Sequence, residues 1–143
     1  MSKILIIEDE AAIRRVLTKI LSEENESYKV EEAEDGLQGI EKVKNEDYDL
    51  ILCDIKMPKM DGVEVLEAVK KIKPEIPMVM ISGHGDLETA INTMRLGAFD
   101  YISKPPDLNR LLNTVRNALD KKQLVQRGDV KEYYSEMTDI TRT

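Results

Sequence analysis

The sequence predicts an α/β domain in which five strand–helix units form a doubly wound parallel sheet. Short apolar runs recur along the 143 residues and alternate with longer segments whose apolar residues repeat at the helical period. Three of the runs are apolar throughout, as expected for parallel strands that helices cover on both faces. Five units fit an open sheet, because a closed barrel of this kind requires eight.

The strands are marked by the apolar runs, which are residues 4–7, 28–30, 50–53, 78–81 and 101–102. The first, third and fourth runs are continuous and predict buried strands. The second run is followed by Glu31 and Glu32, and these charges predict a strand at the edge of the sheet.

The helices lie between these runs and carry apolar stripes that we expect to face the sheet. Asp35, Asp86 and Asp107 stand where N-caps belong, and Gly97 stands where the fourth helix ends. The stripes are, in chain order, Ile13, Val16, Leu17, Ile20 and Leu21; Leu37, Ile40 and Val43; Val65, Leu66, Val69 and Ile72; Leu87, Ala90, Ile91 and Met94; and Leu108, Leu111, Leu112, Val115 and Leu119.

The order of the strands does not follow from periodicity alone. A central first strand, flanked by the second and third, is the simplest order with one reversal of winding. This gives 2-1-3-4-5, the order of a flavodoxin-like three-layer sandwich, with right-handed crossovers. Ligands of such sheets bind where the winding reverses, so we expect a functional site at the carboxyl ends of the first and third strands.

Composition disfavours several classes of protein. The net charge of −7 argues against direct nucleic-acid binding by this chain. No apolar run approaches the ~20 residues of a membrane span, and no signal peptide precedes the first strand, so we expect a cytoplasmic protein without membrane association. The single cysteine, Cys53, excludes an internal disulfide. We expect Cys53, Met78, Met80 and Met94 to be core residues.

Polar side chains stand at the carboxyl ends of four predicted strands. Residues 8–10 (Glu-Asp-Glu) follow the first strand, Asp54 follows the third, Ser82 the fourth and Lys104 the fifth. Carboxylates that are brought together repel each other, so the pKa of one is raised unless a cation neutralises the group. Ligation by oxygen atoms of this kind suits Mg²⁺.

Asp54 has the position of a nucleophile, because a buried strand runs directly into its carboxylate. A carboxylate can attack phosphorus and form an aspartyl-phosphate. Mg²⁺, Lys104 and Ser82 would then neutralise the oxygens of the transferred group. The alternative is that Asp54 only caps the following turn and that Glu8 and Asp9 only cap the first helix.

Five separated motifs resemble those of the receiver (CheY-like) domain of bacterial two-component response regulators. They are Ile7-Glu-Asp-Glu10, Asp54-x-x-Met-Pro58, Asp61-Gly62, Ser82-Gly83 and Lys104-Pro105. The resemblance covers roughly residues 3–122. Residues 85–105 are similar to receivers of the nitrogen-regulatory (NtrC-type) class, which usually precede an ATPase domain that activates transcription. The phosphate-binding loop of such an ATPase is absent from this sequence.

The resemblance implies a metal site and a phosphoacceptor. Asp54 would accept a phosphoryl group from a sensor histidine kinase. Glu8, Asp9, Asp54 and the backbone carbonyl of Lys56 would bind Mg²⁺. Glu8 departs from the family pattern, which often has Asp there, because its side chain is one methylene longer.

The resemblance also implies a switch. Ser82, where the family more often has Thr, would donate to the phosphoryl oxygens, and Lys104 would pair with them. Tyr101 would turn inward when Ser82 moves, and the Lys104–Pro105 bond would be cis. The domain itself would catalyse only its own phosphorylation and slow dephosphorylation.

The resemblance places partners on two surfaces. The kinase would dock on the first helix around Arg14, Arg15 and Thr18. The fourth helix and the fifth strand would carry the output signal, with transcription as the expected output, and could form a homodimer. We expect a receiver cut from a longer chain, and a stand-alone receiver in a phosphorelay is the alternative.

Two other functions compete with this interpretation. Phosphatases that work through an aspartyl-phosphate place a second acid two residues after the nucleophile, where this chain has Lys56. A flavin or nucleotide binder of this fold would need phosphate-binding donors after the first strand, where residues 8–10 would instead repel a phosphate.

The sequence allows two interpretations each for the C-terminal tail and for His84. We divide the chain into residues 1–125, the receiver domain, and residues 126–143, a C-terminal tail. Gly128 is expected to end the fifth helix, and residues 129–137 form either a short amphipathic helix or a linker or vector-derived end. His84 is either an exposed loop residue or, with Lys56, a rim residue that influences how long the phosphoryl group persists.

Overall fold

The computed structural model describes residues 1–83 and 85–127, and five strands alternate with five helices along this part of the chain. The elements are β1 (Ser2–Ile7), α1 (Ala11–Glu24), β2 (Tyr28–Ala33), α2 (Gly36–Asn45), β3 (Leu50–Asp54), α3 (Gly62–Ile72), β4 (Met78–Ser82), α4 (Leu87–Arg95), β5 (Asp100–Ser103) and α5 (Leu108–Arg127). Each strand extends beyond the apolar run that predicted it. The predicted succession of strand–helix units is confirmed.

The strands form one parallel sheet in the order β2-β1-β3-β4-β5. The predicted order is therefore confirmed, and β2 lies at an edge as its charged end indicated. The register pairs Ile7 with Cys53, Asp54 with Ile81, and Ser82 with Ser103. This pairing brings the polar residues that follow β1, β3, β4 and β5 to one edge of the sheet.

Helices cover both faces of the sheet, so the domain has three layers. Leu5 and Ile7 face a core cluster that α2, α3 and α4 close. Ile4 and Ile6 face a second cluster that α1 and α5 close. Cys53 is buried in the first cluster, as predicted, and burial raises the pKa of its thiol.

The predicted helix faces are wider than the faces that are buried. In α4 the buried positions are Ala90 and Thr93, two small residues that let the helix lie close to the sheet. Met94 was predicted to be a core residue, and this prediction is wrong, whereas Met78 and Met80 are buried as predicted. The stripe residues that remain exposed are Val16, Leu37, Ile72, Leu87, Ile91, Met94 and Leu108.

The helix ends agree with the sequence signals at three of four positions. Asp35 and Asp107 accept hydrogen bonds from backbone N–H groups three residues ahead, at 2.8 and 3.2 Å. Gly97 follows α4 with a φ of +106°, a conformation that glycine adopts without strain. Asp86 stands at the start of α4 but makes no capping hydrogen bond within the described chain, and its carboxylate pairs with Lys56 instead.

Several expectations concern residues that are not described. His84, Gly128 and the amphipathic helix predicted over residues 129–137 lie outside the described residues. The helix α5 continues to Arg127, and the division into residues 1–125 and 126–143 stays a prediction. Among the helices within residues 1–83 and 85–127, none has both the length and the hydropathy of a membrane span.

Candidate functional site

The carboxyl edge of the sheet brings together three residues that lie far apart in the sequence. Asp54 ends β3, Glu8 directly follows β1, and Lys104 directly follows β5. The Lys104 ammonium nitrogen lies 3.1 Å from Glu8 Oε1 and 3.1 Å from Asp54 Oδ2. One cation therefore bridges two carboxylates that come from different strands.

The acidic group of this site consists of Glu8, Asp9 and Asp54. A carboxylate oxygen from each of the three lies within 4.8 Å of the others. Glu8 and Asp54 are buried, at 0% and 2% exposure, while Asp9 is partly exposed. If both buried carboxyl groups were ionised, the one ammonium between them would leave negative charge uncompensated inside the protein.

The largest effect of this arrangement is on the pKa of Glu8. Burial, followed by the neighbouring Asp54 carboxylate, raises the pKa of Glu8 to about 8, although Lys104 opposes the shift. Burial lowers the pKa of Lys104, but the carboxylates of Glu8 and Asp54 outweigh it and raise the pKa overall. Glu8 is therefore a carboxyl group that keeps a proton at neutral pH unless another cation joins the site.

A divalent cation fits the donor set. The second oxygen of Glu8, Oε2, is buried and has no hydrogen-bond partner among the described residues. A buried polar atom without a partner is costly, and a ligand would remove that cost. The available donors are carboxylate oxygens, which Mg²⁺ prefers and which soft metals do not.

The loop after β3 is held close behind Asp54 by the start of α3. Gly62 donates its N–H to the carbonyl of Ile55 at 2.7 Å, and a Cβ atom at position 62 would collide with the backbone of Asp54. Asp61 and Glu64 form a reciprocal capping box at the same helix end. The Asp61-Gly62 motif thus has a steric function, since it lets α3 begin directly against the candidate nucleophile.

Ser82 and Lys104 are joined through their backbones. Lys104 donates its N–H to the carbonyl of Ser82 at 2.8 Å, and the Lys104–Pro105 bond is cis, as expected. Ser82 is buried, and among the described residues its hydroxyl makes one long hydrogen bond, 3.3 Å to the Gly83 carbonyl. This hydroxyl is weakly engaged and lies on the strand next to Asp54.

Tyr101 and Lys56 lie at the periphery of the site. Tyr101, on β5, is partly buried against the cluster that α4 helps to close. The Lys56 side chain is 80% exposed, and its Nζ lies 3.3 Å from Asp86 Oδ1. The Lys56 N–H contacts Asp54 Oδ1 at 3.4 Å, a long hydrogen bond. The roles predicted for Tyr101 and for the Lys56 carbonyl stay predictions.

Arg14, which the resemblance places in the kinase-docking surface of the first helix, has a side chain that is 12% exposed. Its guanidinium donates to Glu32 Oε1 at 2.9 Å and to the Glu8 carbonyl at 2.8 Å. Of the other residues predicted there, Thr18 is partly buried and Arg15 is exposed. Sequence reasoning missed the inward contact of Arg14, for which Glu32 at the end of β2 was the available signal.

An apolar groove runs beside the site, between α1 and the loop after β5. It has a volume of about 340 Å³. Its lining residues are Ala12, Ile13, Val16, Leu17, Lys104, Pro105 and Pro106. Val16, which the helical stripe predicted to face the sheet, is exposed and forms part of the wall of this groove.

Comparison with known proteins gives a consistent result. The family model for the response regulator receiver domain matches residues 4–116. The transcriptional regulatory protein ZraR of Klebsiella oxytoca is 37% identical over 116 residues, which are 81% of this chain and 26% of that protein. The nitrogen assimilation regulatory protein NtrX of Azorhizobium caulinodans is 37% identical over 131 residues, 90% of this chain and 28% of that protein.

Solved structures agree with the sequence comparisons. A response regulator receiver domain protein from Clostridium thermocellum is 33% identical with a TM-score of 0.81, over 87% of this chain and 99% of that one. The receiver domain of NtrX from Brucella abortus is 37% identical with a TM-score of 0.77, over 82% and 98% of the two chains. The chain spans about a quarter of the length of the curated relatives ZraR and NtrX. With its strand order and its acidic edge, the chain belongs to the response regulator receiver domain family, and its relatives are regulators of the NtrC type.

Proposed function

We propose that this domain is a phosphoacceptor switch in which Asp54 receives a phosphoryl group from a sensor histidine kinase. One observation carries the proposal. The buried Asp54 carboxylate ends a central strand, with the Lys104 ammonium 3.1 Å away and the oxygens of Glu8 and Asp9 within 4.8 Å. A nucleophile, a fixed cation and a set of hard oxygen ligands for a metal ion are the parts that phosphoryl transfer to a carboxylate requires.

The acidic group is proposed to hold Mg²⁺ through Glu8, Asp9 and Asp54, with the Lys56 carbonyl as a further ligand. The bound ion would supply positive charge that neutralises both the carboxylates and the oxygens of the incoming phosphoryl group. The unpartnered Oε2 of Glu8 supports this assignment. Glu8 has to lose its proton to bind the ion, because a metal ligates the carboxylate form.

In the proposed transfer, an oxygen of Asp54 forms a bond to phosphorus while the bond from phosphorus to the kinase histidine breaks. The leaving imidazole keeps the electron pair and takes up a proton. Lys104 pairs with a phosphoryl oxygen and stabilises the charge that spreads over the transferred group. The Ser82 hydroxyl, held by one long bond, turns toward another phosphoryl oxygen.

The switch is proposed to follow from the movement of Ser82. Phosphorylation adds negative charge at Asp54, and drawing Ser82 toward it opens space that Tyr101 fills. The helix α4 lies directly after the Ser82 loop and buries only the small residues Ala90 and Thr93 within the described chain. Such limited burial favours a helix that shifts between two packings.

Two surfaces are proposed to bind partners. The groove between α1 and residues 104–106 would receive an apolar part of the kinase, with Arg15 exposed beside it. The exposed Leu87, Ile91 and Met94 of α4 would, with β5, form a homodimer or bind the output partner. Because the relatives are transcription regulators, the proposed output is control of transcription, in the cytoplasm.

The test is Mg²⁺-dependent labelling with a small acyl phosphate, followed by intact mass. The wild-type protein should gain one phosphoryl group with Mg²⁺ and none with a chelator, and Asp54→Asn should gain none. Equal and stable labelling of Asp54→Asn would overturn the proposal. Sustained turnover of a generic phosphate ester would instead favour the phosphatase alternative, which the position of Lys56 argues against.

A further inference from the structure

The loop between β1 and α1 carries two of the three acidic residues of the site, and its backbone is fixed from two sides. Glu8 donates its N–H to the carbonyl of Ala33 on β2 at 3.1 Å. The Glu8 carbonyl accepts from the Arg14 guanidinium at 2.8 Å. By contrast, Glu10 at the start of α1 makes no side-chain capping bond within the described part of the chain.

Arg14 connects this loop to the edge strand. Its Nε donates to Glu32 Oε1 at 2.9 Å while its terminal nitrogen donates to the Glu8 carbonyl. Arginine suits this position because its planar fork offers several donors at fixed angles, whereas lysine offers one flexible ammonium group. Glu32 thus fixes the position of the guanidinium, and the guanidinium in turn fixes the Glu8 carbonyl.

The carbonyl that Arg14 holds belongs to the peptide bond between Glu8 and Asp9. A peptide unit is planar, so fixing its oxygen fixes the orientation of the whole unit. The directions in which the Glu8 and Asp9 side chains leave the backbone depend on that orientation. Contacts of this kind, one shell away from the ligands, commonly change metal affinity by about 10- to 100-fold.

We propose that Arg14, supported by Glu32, is a positioning residue for the divalent-cation site. It orients the Glu8–Asp9 peptide so that both carboxylates face Asp54. This inference rests on the proposed function, because it assumes that the acidic group binds Mg²⁺. It also assigns to Arg14 a role at the acidic loop, in addition to its place on the first helix.

The experiment measures Mg²⁺ dissociation constants by amide NMR titration of the full chain. Arg14→Ala should weaken Mg²⁺ binding about tenfold, and Glu32→Gln should weaken it less. Arg14→Lys should fall between wild type and Arg14→Ala, because an ammonium keeps the charge but lacks the planar fork that fixes the angle between two acceptors. Arg116→Ala is the matched control, since Arg116 forms an exposed ion pair with Glu24, at 3.7 Å, and should bind Mg²⁺ as the wild type does.

A second measurement needs no metal. Amide hydrogen exchange in the presence of a chelator should be faster at residues 9–11 in Arg14→Ala than in the wild type, and unchanged in Arg116→Ala. If Arg14→Ala only lowers global stability, while its Mg²⁺ affinity and its exchange at residues 9–11 remain those of the wild type, the positioning role is overturned. Absence of saturable Mg²⁺ binding in the wild type would instead overturn the proposed metal site itself.

Discussion

Without divalent cations, we expect the free energy of unfolding of the wild-type protein to fall between about pH 5 and pH 8 because of Glu8. Replacing Glu8 by glutamine should remove this fall. Glu8 is fully buried, and burial and Asp54 raise its pKa from 4.5 to about 8. In this interval the folded protein keeps the Glu8 proton while the unfolded chain has lost it. Glutamine keeps the shape of the protonated side chain but does not titrate.

The sign and size follow from proton linkage. When the folded state binds one proton more than the unfolded state, the free energy of unfolding falls by about 1.4 kcal/mol for each pH unit. The contribution of the bound Glu8 proton to the free energy of unfolding is therefore fully present below about pH 4.5. It is lost as the pH rises to about 8. The loss over the whole interval is at most roughly 4–5 kcal/mol.

The assay is urea unfolding at a series of pH values, with a chelator and then with Mg²⁺. Wild type and Glu8→Gln should have similar stability near pH 5, and the variant should be the more stable near pH 8. Mg²⁺ should restore wild-type stability at pH 8, because it binds the ionised carboxylate, and should do less for the variant. Glu23→Gln, an exposed change on α1, should behave as the wild type. Parallel pH slopes for wild type and Glu8→Gln would refute the reasoning.

Three further substitutions have expected outcomes. Tyr48→Phe removes a buried hydroxyl whose single hydrogen is shared between Glu31 at 2.9 Å and Glu46 at 3.1 Å. It should lower the free energy of unfolding, measured in urea, by about 1–2 kcal/mol, and an unchanged value would show that this hydroxyl contributes nothing. Gly62→Ala places a Cβ against the Asp54 backbone. It should lower the free energy of unfolding by about 1–3 kcal/mol and slow labelling by an acyl phosphate. Stability and labelling equal to those of the wild type would contradict the close packing. Lys56→Ala should change stability by less than about 0.5 kcal/mol, because the Lys56 side chain is 80% exposed and water screens its charge. It should alter the rate of dephosphorylation without altering phosphorylation, and an unchanged phosphoryl lifetime would remove Lys56 from the rim of the site.

The sequence by itself determined the five units, the parallel sheet and the polar residues at its carboxyl edge. Periodicity and turn residues are local signals, so they can be interpreted without knowledge of the tertiary packing. The strand order followed from a topological rule that leaves few alternatives. Residues Asp54 and Lys104 could be paired in advance because parallel strands end at one edge, and the structure confirms that they are in contact.

Only the tertiary structure decided how wide each buried face is and where long side chains go. Helical spacing placed Met94 on the same stripe as Ala90, yet the contact with the sheet covers only the small residues of α4. The sequence placed Arg14 on the surface of the first helix, but only the structure shows that its guanidinium contacts Glu32 and the Glu8 carbonyl on neighbouring elements. The raised pKa of Glu8 likewise depends on its distance from Asp54 and on its burial. These properties depend on contacts between residues far apart in the chain, and a local pattern does not contain them.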